Sequence, residues 1–384
     1  MSDPVKNAAI RLVGDSPVPI WGLGGAVRLT RTLHGFGMTG IAPWTAPDMA
    51  GPFVVLVHAG YLIEDNLLHR LIASPGKYLT DPVSGYLVAA HIPAPHAAVM
   101  AEIMQRTVPL ERIGLPDGVS ATALALAEAE DYNHETKKRI TAFIMPITAA
   151  TKSQIERYLF GAVYKGVTDI VTKYVWPWPA YYVTRACAAT GVTPNMVTSA
   201  SGVLTILAYF LFADGLFGWG LVAAWGMTFL DTVDGKLARV TVNSSPFGNI
   251  FDHGIDLVHP PFWYWAWIAG ITATGSSLWQ SDIITAIVIG GYVIQRLQEG
   301  VFELFFGITP HVWRPFDSRF RLINARRNPN LIILMIGALL GRPDIGMAVV
   351  AVWTLACIGV HFAQIGQAIG YKLRREPIRS WLAS

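Results

Sequence analysis

The feature that most constrains this chain is the near-absence of charge along its second half. From Asn195 to Leu230 the charged residue is Asp214; from Leu257 to Gln295 it is Asp282; from Asn328 to Tyr371 there are Arg342 and Asp344. Each stretch has room for two membrane spans of roughly 20 residues. Over the whole 384 residues, 14% are charged and 52% apolar, where soluble domains carry roughly 25% charge. What charge there is gathers before about residue 175, as it does where a soluble domain hands over to a membrane domain.

The pattern predicts a multi-pass α-helical membrane protein with six transmembrane helices and an N-terminal soluble α/β domain. The helices are expected near 196–212, 216–238, 248–271, 283–307, 329–341 extended to either side, and 345–370. With the N-terminus inside, the inner segments hold Lys236, Arg239, Arg314, Arg319, Arg321, Arg326, Arg327, Lys372, Arg374, Arg375 and Arg379, while the outer loops hold Arg342. That asymmetry places both termini on the cytoplasmic face of the cell membrane. A net charge of +3 without a polybasic run excludes nucleic acid as a partner. Cys187 and Cys357 lie 170 residues apart, and the start MSDPVKNAAIRL lacks a secretory pattern, so a reducing-side N-terminus is expected.

Between the two parts, over 151–190, Lys152 to Trp176 carries Ile155, Leu159, Val163, Val167, Ile170 and Tyr174 close to helical spacing. This predicts an interfacial amphipathic helix broken by WPWP at 176–179, or alternatively a last helix of the soluble domain.

Four aspartates stand where membrane helices should tolerate none: Asp231 and Asp234 near the end of the second span, Asp252 and Asp256 near the start of the third. Spacings of i,i+3 and i,i+4 put each pair on one helix face. A carboxylate at mid-membrane costs roughly 2.5–3.5 kcal/mol, so four converging carboxylates call for bound divalent metal. Oxygen-only ligation points to Mg²⁺ or Mn²⁺. The bland alternative is a solvated loop in which Lys236 and Arg239 pair with Asp231 and Asp256. Gly235, Ala238 and Gly248 leave space between helices, and Arg239 adds a cation, which together suit a diphosphate.

At these residues the sequence resembles the CDP-alcohol phosphotransferase family. Its signature is matched by Asp231, Asp234, Gly235, Ala238, Arg239, Gly248, Asp252 and Asp256, and TPNMVT at 193–198 is similar to the segment before that family's first helix. The resemblance implies displacement of CMP from a CDP-alcohol by the hydroxyl of an acceptor alcohol. It implies metal at Asp231, Asp234, Asp252 and Asp256, two ions in all, with Asp256 also the general base. Gly235, Ala238, Arg239, Gly248 and Asn195 would contact the CDP. It further implies a homodimer among membrane lipids, and phospholipid biosynthesis with CDP-diacylglycerol as donor and a polyol or polyol phosphate as acceptor. A CDP-inositol-type donor, or a non-catalytic protein that binds nucleotide lipids, are the alternatives.

Arg296, inside the fourth span, and Arg326 and Arg327, at its cytoplasmic mouth, are candidate acceptor-binding residues; for Arg296 the alternative is an ion pair with Glu299 or Asp282. His253 and His259 are expected to be hydrogen-bonding neighbours of Asp256. Residues 1–150 alternate apolar runs (Pro17–Gly22, Phe53–His58, Gly85–His91) with helical stretches (Asn66–Ala73, Ala97–Gln105, Ala121–Glu130), an α/β pattern. Gly22, Gly24, Gly25 and Arg28 sit on a strand-to-helix turn that resembles sugar-phosphate nucleotidyltransferases. Ala59-Gly60 stands in place of their metal-binding aspartate, which implies an inactive domain. This layout, followed by the 191–384 membrane domain, resembles the bifunctional inositol-phosphate cytidylyltransferase and di-inositol-phosphate phosphate synthase.

Overall fold

The computed structural model describes residues 9–45, 51–126, 131–133, 136–243 and 246–383, with the backbone alone at 131, 132, 140 and 246–253. Two compact units form: 1–133, 139–163 and 239–243 in one, and 134–138, 164–238 and 244–384 in the other.

The first unit contains strands β1 (Ala9–Val13), β2 (Ile41–Pro43), β3 (Phe53–His58), β4 (Tyr61–Ile63), β5 (Lys77–Thr80), β6 (Leu87–Pro93), β7 (Thr122–Ala123), β8 (Asp131–Asn133), β9 (Lys138–Ile140) and β10 (Ile144–Pro146). Its helices are α1 (Gly25–Gly35), α2 (Asp65–Ile72), α3 (Ala97–Gln105), α4 (Leu110–Ile113) and α5 (Lys152–Ala162). The main sheet runs β2-β1-β3-β6-β5-β7, parallel across β2-β1-β3 and antiparallel at β6. β3 and β6 are continuous apolar runs because both sheet faces are covered: Leu33, Leu67 and Leu71 pack on one side, Met100, Ile103 and Met104 on the other. α2 starts where the Glu64 carboxylate accepts hydrogen bonds from Asn66 N and Leu67 N at 3.0 and 2.9 Å. α1 opens on Gly25, whose missing Cβ would lie 2.1 Å from Ala59 O.

Two expectations here fail. Pro17–Gly22 is not a strand but part of a turn closed by the Ile20–Leu23 bridge, and the first strand lies upstream at β1. Within 121–130, Thr122–Ala123 pairs with β5 instead of forming a helix, so tertiary pairing overrides the helix propensity of an alanine-rich segment; residues 127–130 lie outside the described residues.

The second unit is helical: α6 (Pro177–Thr190), α7 (Pro194–Ala213), α8 (Phe217–Val240), α9 (Pro246–Ala273), α10 (Ser281–Thr285), α11 (Gly291–Phe306), α12 (Pro315–Phe320), α13 (Arg327–Leu339) and α14 (Pro343–Leu373). A π turn over Ala286–Gly290 links α10 to α11. Phe212, Met227, Trp263, Trp267 and Met347 build its core. Gly270 lets α9 meet the end of α7 directly, since a Cβ there would lie 1.9 Å from Phe212 O. Outward faces carry Val203, Phe210, Trp219, Val222, Leu304, Val352 and Phe362, all more than half exposed. Among the described residues, α7 and α14 are long and apolar enough to cross a membrane, with mean hydropathies of 1.8 and 2.0. α13, at 13 residues, reaches about 20 Å, short of a roughly 30 Å hydrocarbon core.

The expected unbroken helix over Lys152–Trp176 is also corrected. α5 ends at Ala162 and belongs to the first unit, with Ile155 buried and Phe160 stacked on Trp21 at 5.8 Å. The helical turn over Val171–Val175 gives way to a bend at Trp176, and Pro177 then starts α6, because a proline at the first helical position gives up an N–H that had no partner there.

Candidate functional site

The aspartates lie within the second unit. Asp234 on α8 is 3% exposed, and its Oδ2 accepts a 2.6 Å hydrogen bond from Thr198 Oγ1 on α7. Its Oδ1 is buried without a hydrogen-bond partner among the described residues. One turn earlier, Asp231 Oδ2 accepts from Arg327 Nη2 at 2.6 Å, while Arg327 Nη1 donates to Asp256 Oδ1 on α9 at 2.5 Å. A single guanidinium at the start of α13 thus ties carboxylates from two other helices together. The cation shared by Asp231 and Asp256 is therefore Arg327. Lys236, named in the solvated-loop alternative, sits with its Nζ 3.9 Å from the Tyr164 ring centroid.

Asp256 is held from behind by an unusual piece of backbone. Pro260 and Pro261 lie inside α9, and each removes the N–H that would have bonded the carbonyl four residues earlier, those of Asp256 and Leu257. Tyr292 on α11 replaces them, its hydroxyl donating to Leu257 O at 3.0 Å and approaching Asp256 O at 3.4 Å. His259 bonds within its own helix, Nδ1 to Ile255 O at 2.6 Å, rather than to Asp256.

Gly235, Ala238 and Arg239 follow the aspartates on α8, and Asn195 is exposed in the first turn of α7. Gly248 and Asp252 belong to the backbone of α9, but their side chains, with that of His253, lie outside the described residues. Among the described residues no three acidic, histidine or cysteine side chains form a metal cage. The donor set present is nonetheless right for a hard divalent cation: it is oxygen only, and Asp234 Oδ1 is a buried carboxylate oxygen without a hydrogen-bond partner among the described residues.

Of the three acceptor candidates, Arg296 and Arg326 meet on Glu299 and Arg327 does not join them. Arg327 is drawn to the aspartates. Arg296 Nη2 donates to Glu299 Oε1 at 3.0 Å, His311 Nε2 meets the same oxygen at 3.1 Å, and Arg326 pairs with Glu299 Oε2. Consecutive arginines therefore serve different clusters. Sequence reasoning missed Thr198 and Tyr292 as site residues. The signal for Tyr292 was the Pro260-Pro261 pair, which announces two carbonyls in need of a donor; for Thr198 it was a hydroxyl one turn into the helix that faces the motif.

Residues 191–304 match the family model described as CDP-alcohol phosphatidyltransferase. The archaetidylinositol phosphate synthase of Pyrococcus horikoshii is 28% identical over 180 residues, covering 45% of this chain and 84% of that protein. Cholinephosphotransferase 1 of Danio rerio is 27% identical over 204 residues, 50% of this chain and 48% of that protein. The bifunctional IPC transferase and DIPP synthase of Rubrobacter xylanophilus is 28% identical over 170 residues, 43% of this chain and 35% of that protein. The chain thus spans half or less of the latter two. With the aspartate motif inside the matched region, residues 191–304 are a CDP-alcohol phosphatidyltransferase domain, of the family of phosphotransferases that draw on CDP-alcohol donors.

Proposed function

We propose that this protein transfers a phospho-alcohol group from a CDP-alcohol, most simply CDP-diacylglycerol, to the hydroxyl of a polyol or polyol phosphate, releasing CMP in phospholipid biosynthesis. The observation that carries it is the meeting of motif carboxylates from α8 and α9 on one guanidinium, beside the buried, half-unpartnered Asp234. Asp231, Asp234, Asp252 and Asp256 would hold Mg²⁺ or Mn²⁺, as two ions, which when bound neutralise charge on the diphosphate. Asp256, 43% exposed at its side chain, is reachable by an incoming alcohol and accepts its proton. The alcohol oxygen bonds to the phosphorus bearing the donor alcohol as the bond to CMP breaks. Gly235, Ala238 and Gly248 leave room for CDP, with Arg239 and Asn195 as its polar contacts.

Six membrane crossings with both termini cytoplasmic, a homodimer among membrane lipids and an inactive nucleotidyltransferase-like first unit complete the proposal. The last is supported by the His58 ring, which fills the space between Gly14 and Gly60 beyond the ends of β1 and β3. The test is Asp256→Asn in the purified full chain with Mn²⁺: CMP release should vanish while the protein still folds, and unchanged release would refute the mechanism. Likeness to the bifunctional IPC transferase and DIPP synthase of Rubrobacter xylanophilus keeps a CDP-inositol-type donor as the second reading. Offering CDP-diacylglycerol and CDP-inositol separately decides between them, and no CMP from either leaves the non-catalytic alternative.

A further inference from the structure

Residues 239–243, the end of α8 and the turn after it, belong to the first unit, whereas α8 up to Ala238 belongs to the second. Two arginines of α1 hold this segment. Arg28 and Arg31 stand three residues apart, on one face of their helix. Arg28 Nη1 donates to Val240 O at 2.7 Å, and Arg31 Nη1 donates to Thr241 O at 2.9 Å. The last carbonyls of a helix have no partner within it, and the helix dipole favours cations there. α8 thus ends on two guanidinium groups.

The turn they hold is not a relaxed one. Val242 adopts a left-handed backbone, φ +47°, which a β-branched residue keeps only when its surroundings impose it. Its N–H donates to Arg239 O at 3.2 Å, and the two carbonyls just before it are those that Arg28 and Arg31 grip. The carbonyls of 239, 240 and 241 are therefore all taken, and the chain leaves the helix along a single path.

Arg28 comes from the strand-to-helix turn whose likeness to nucleotidyltransferases suggests a phosphate site. In the folded chain a carboxylate stands where a phosphate would meet the helix N-terminus: Ala26 N donates to Asp15 Oδ1 at 3.2 Å. Arg28 itself is 6% exposed, and burial lowers it to about 10, so it stays charged at neutral pH. A buried charge needs a hydrogen-bonding partner, and the end of α8 supplies one. α8 runs unbroken from Phe217 to Val240, with Gly235, Ala238 and Arg239 in its last two turns. Any shift of its end is a shift of all three.

We propose that Arg28 and Arg31 are positioning residues for the transferase: they clamp the C-terminal end of α8 and so hold Gly235, Ala238 and Arg239 where the cytidine nucleotide binds. The inference rests on the transfer reaction above and on those three residues as its nucleotide contacts. It gives the first unit a task in that reaction without catalysis of its own.

The test uses the full-length protein in detergent with Mn²⁺. CMP is titrated calorimetrically into wild type, Arg28→Met, Arg31→Met and the double variant. CMP release is measured against the concentration of CDP-diacylglycerol or CDP-inositol, with inositol, glycerol and their phosphates supplied as acceptors. Hydrogen exchange is followed by mass spectrometry on peptides spanning 235–243. Loss of both charged donors should weaken CMP binding roughly ten- to hundredfold and raise KM for the CDP-alcohol by a similar factor with kcat kept. Exchange over 235–243 should speed up, and each single variant should fall between. Arg28→Lys with Arg31→Lys keeps both charges and should recover most of the affinity. Leu71→Ala, in the core of the first unit, separates the clamp from general stability: it should lower the melt and leave CMP affinity as in wild type. A double variant that melts lower yet binds CMP as tightly as wild type overturns the clamp and leaves the transferase standing. So does equal loss of CMP binding in Leu71→Ala. CMP binding that weakens in the double variant, while wild type releases no CMP from either donor, refutes the transfer reaction and leaves the clamp. Wild type that binds no CMP overturns both.

Discussion

Replacing Tyr292 by Phe removes one oxygen and keeps the ring, so it isolates what the hydroxyl does for the proline-interrupted α9. In wild type it supplies a donor to Leu257 O at 3.0 Å, with Asp256 O at 3.4 Å. Tyr292 is 9% exposed, so water is poorly placed to take over. A buried acceptor left without a donor costs about 1–3 kcal/mol, and in a unit this size each kcal/mol moves the melting temperature by about 2–4 °C. Thermal unfolding followed by tryptophan fluorescence should therefore show a fall of roughly 2–12 °C. Pro261→Ala provides the internal control, because it returns an N–H to the helix opposite Leu257 O. In that background Tyr292→Phe should cost under about 0.5 kcal/mol, the level expected of uncoupled sites. An unchanged melt in the single variant, or the same loss in both backgrounds, refutes the argument that the hydroxyl serves the freed carbonyls. CMP release should fall with the single variant and return in the double, since the loosened turn is the one that carries Asp256.

Arg327→Met leaves Asp231 and Asp256 without their shared cation; breaking a buried pair costs about 3–5 kcal/mol, reduced here because Asp256 is 43% exposed, and Mn²⁺ should restore more melting temperature to the variant than it adds to wild type. Gly270→Ala would set a methyl 1.9 Å from Phe212 O and force α7 and α9 apart, lowering stability by about 1–3 kcal/mol or more in the same unfolding assay, whereas Gly359→Ala, with nothing within 4 Å, should be neutral or stabilising. Burial, then Lys165, Arg321 and Arg326 against Glu303, lower Lys137 to about 8; an unfolded lysine keeps its proton to about 10.4, so the unfolded state binds more protons between about 8 and that value, stability should rise with pH across the window, and Lys137→Met should lack that rise in thermal unfolding.

The helical half was legible because charge depletion is a one-dimensional signal: helices occupy 194–213 and 343–373 where 196–212 and 345–370 were expected. The aspartates were legible for the same reason, since pairing on a helix face is fixed by spacing along one segment. Arg327 was visible as a residue but not as their partner, because it reaches them from 96 and 71 residues away and no local period links α13 to α8 and α9. Lys137 gave no signal at all; its position depends on Gly166 and Thr309, which only the folded chain brings beside it. The error at 121–130 has another cause: the preference of alanine for helix was applied without its context, a sheet edge.

Arg326 and Arg327 leave the backbone as neighbours and grip opposite sides, one Glu299 and the other the aspartate pair. The opening turn of α13 is then a rocker whose two arms cannot be reset independently. An anion that takes Arg326 from Glu299 shifts the footing of Arg327, and a cation that competes for Asp231 and Asp256 does the reverse. By thermodynamic linkage the two effects must be equal: whatever factor such an anion applied to the affinity for such a cation, the cation would apply to the affinity for the anion. The coupling between two ligands, in such a site, is written into two adjacent residues.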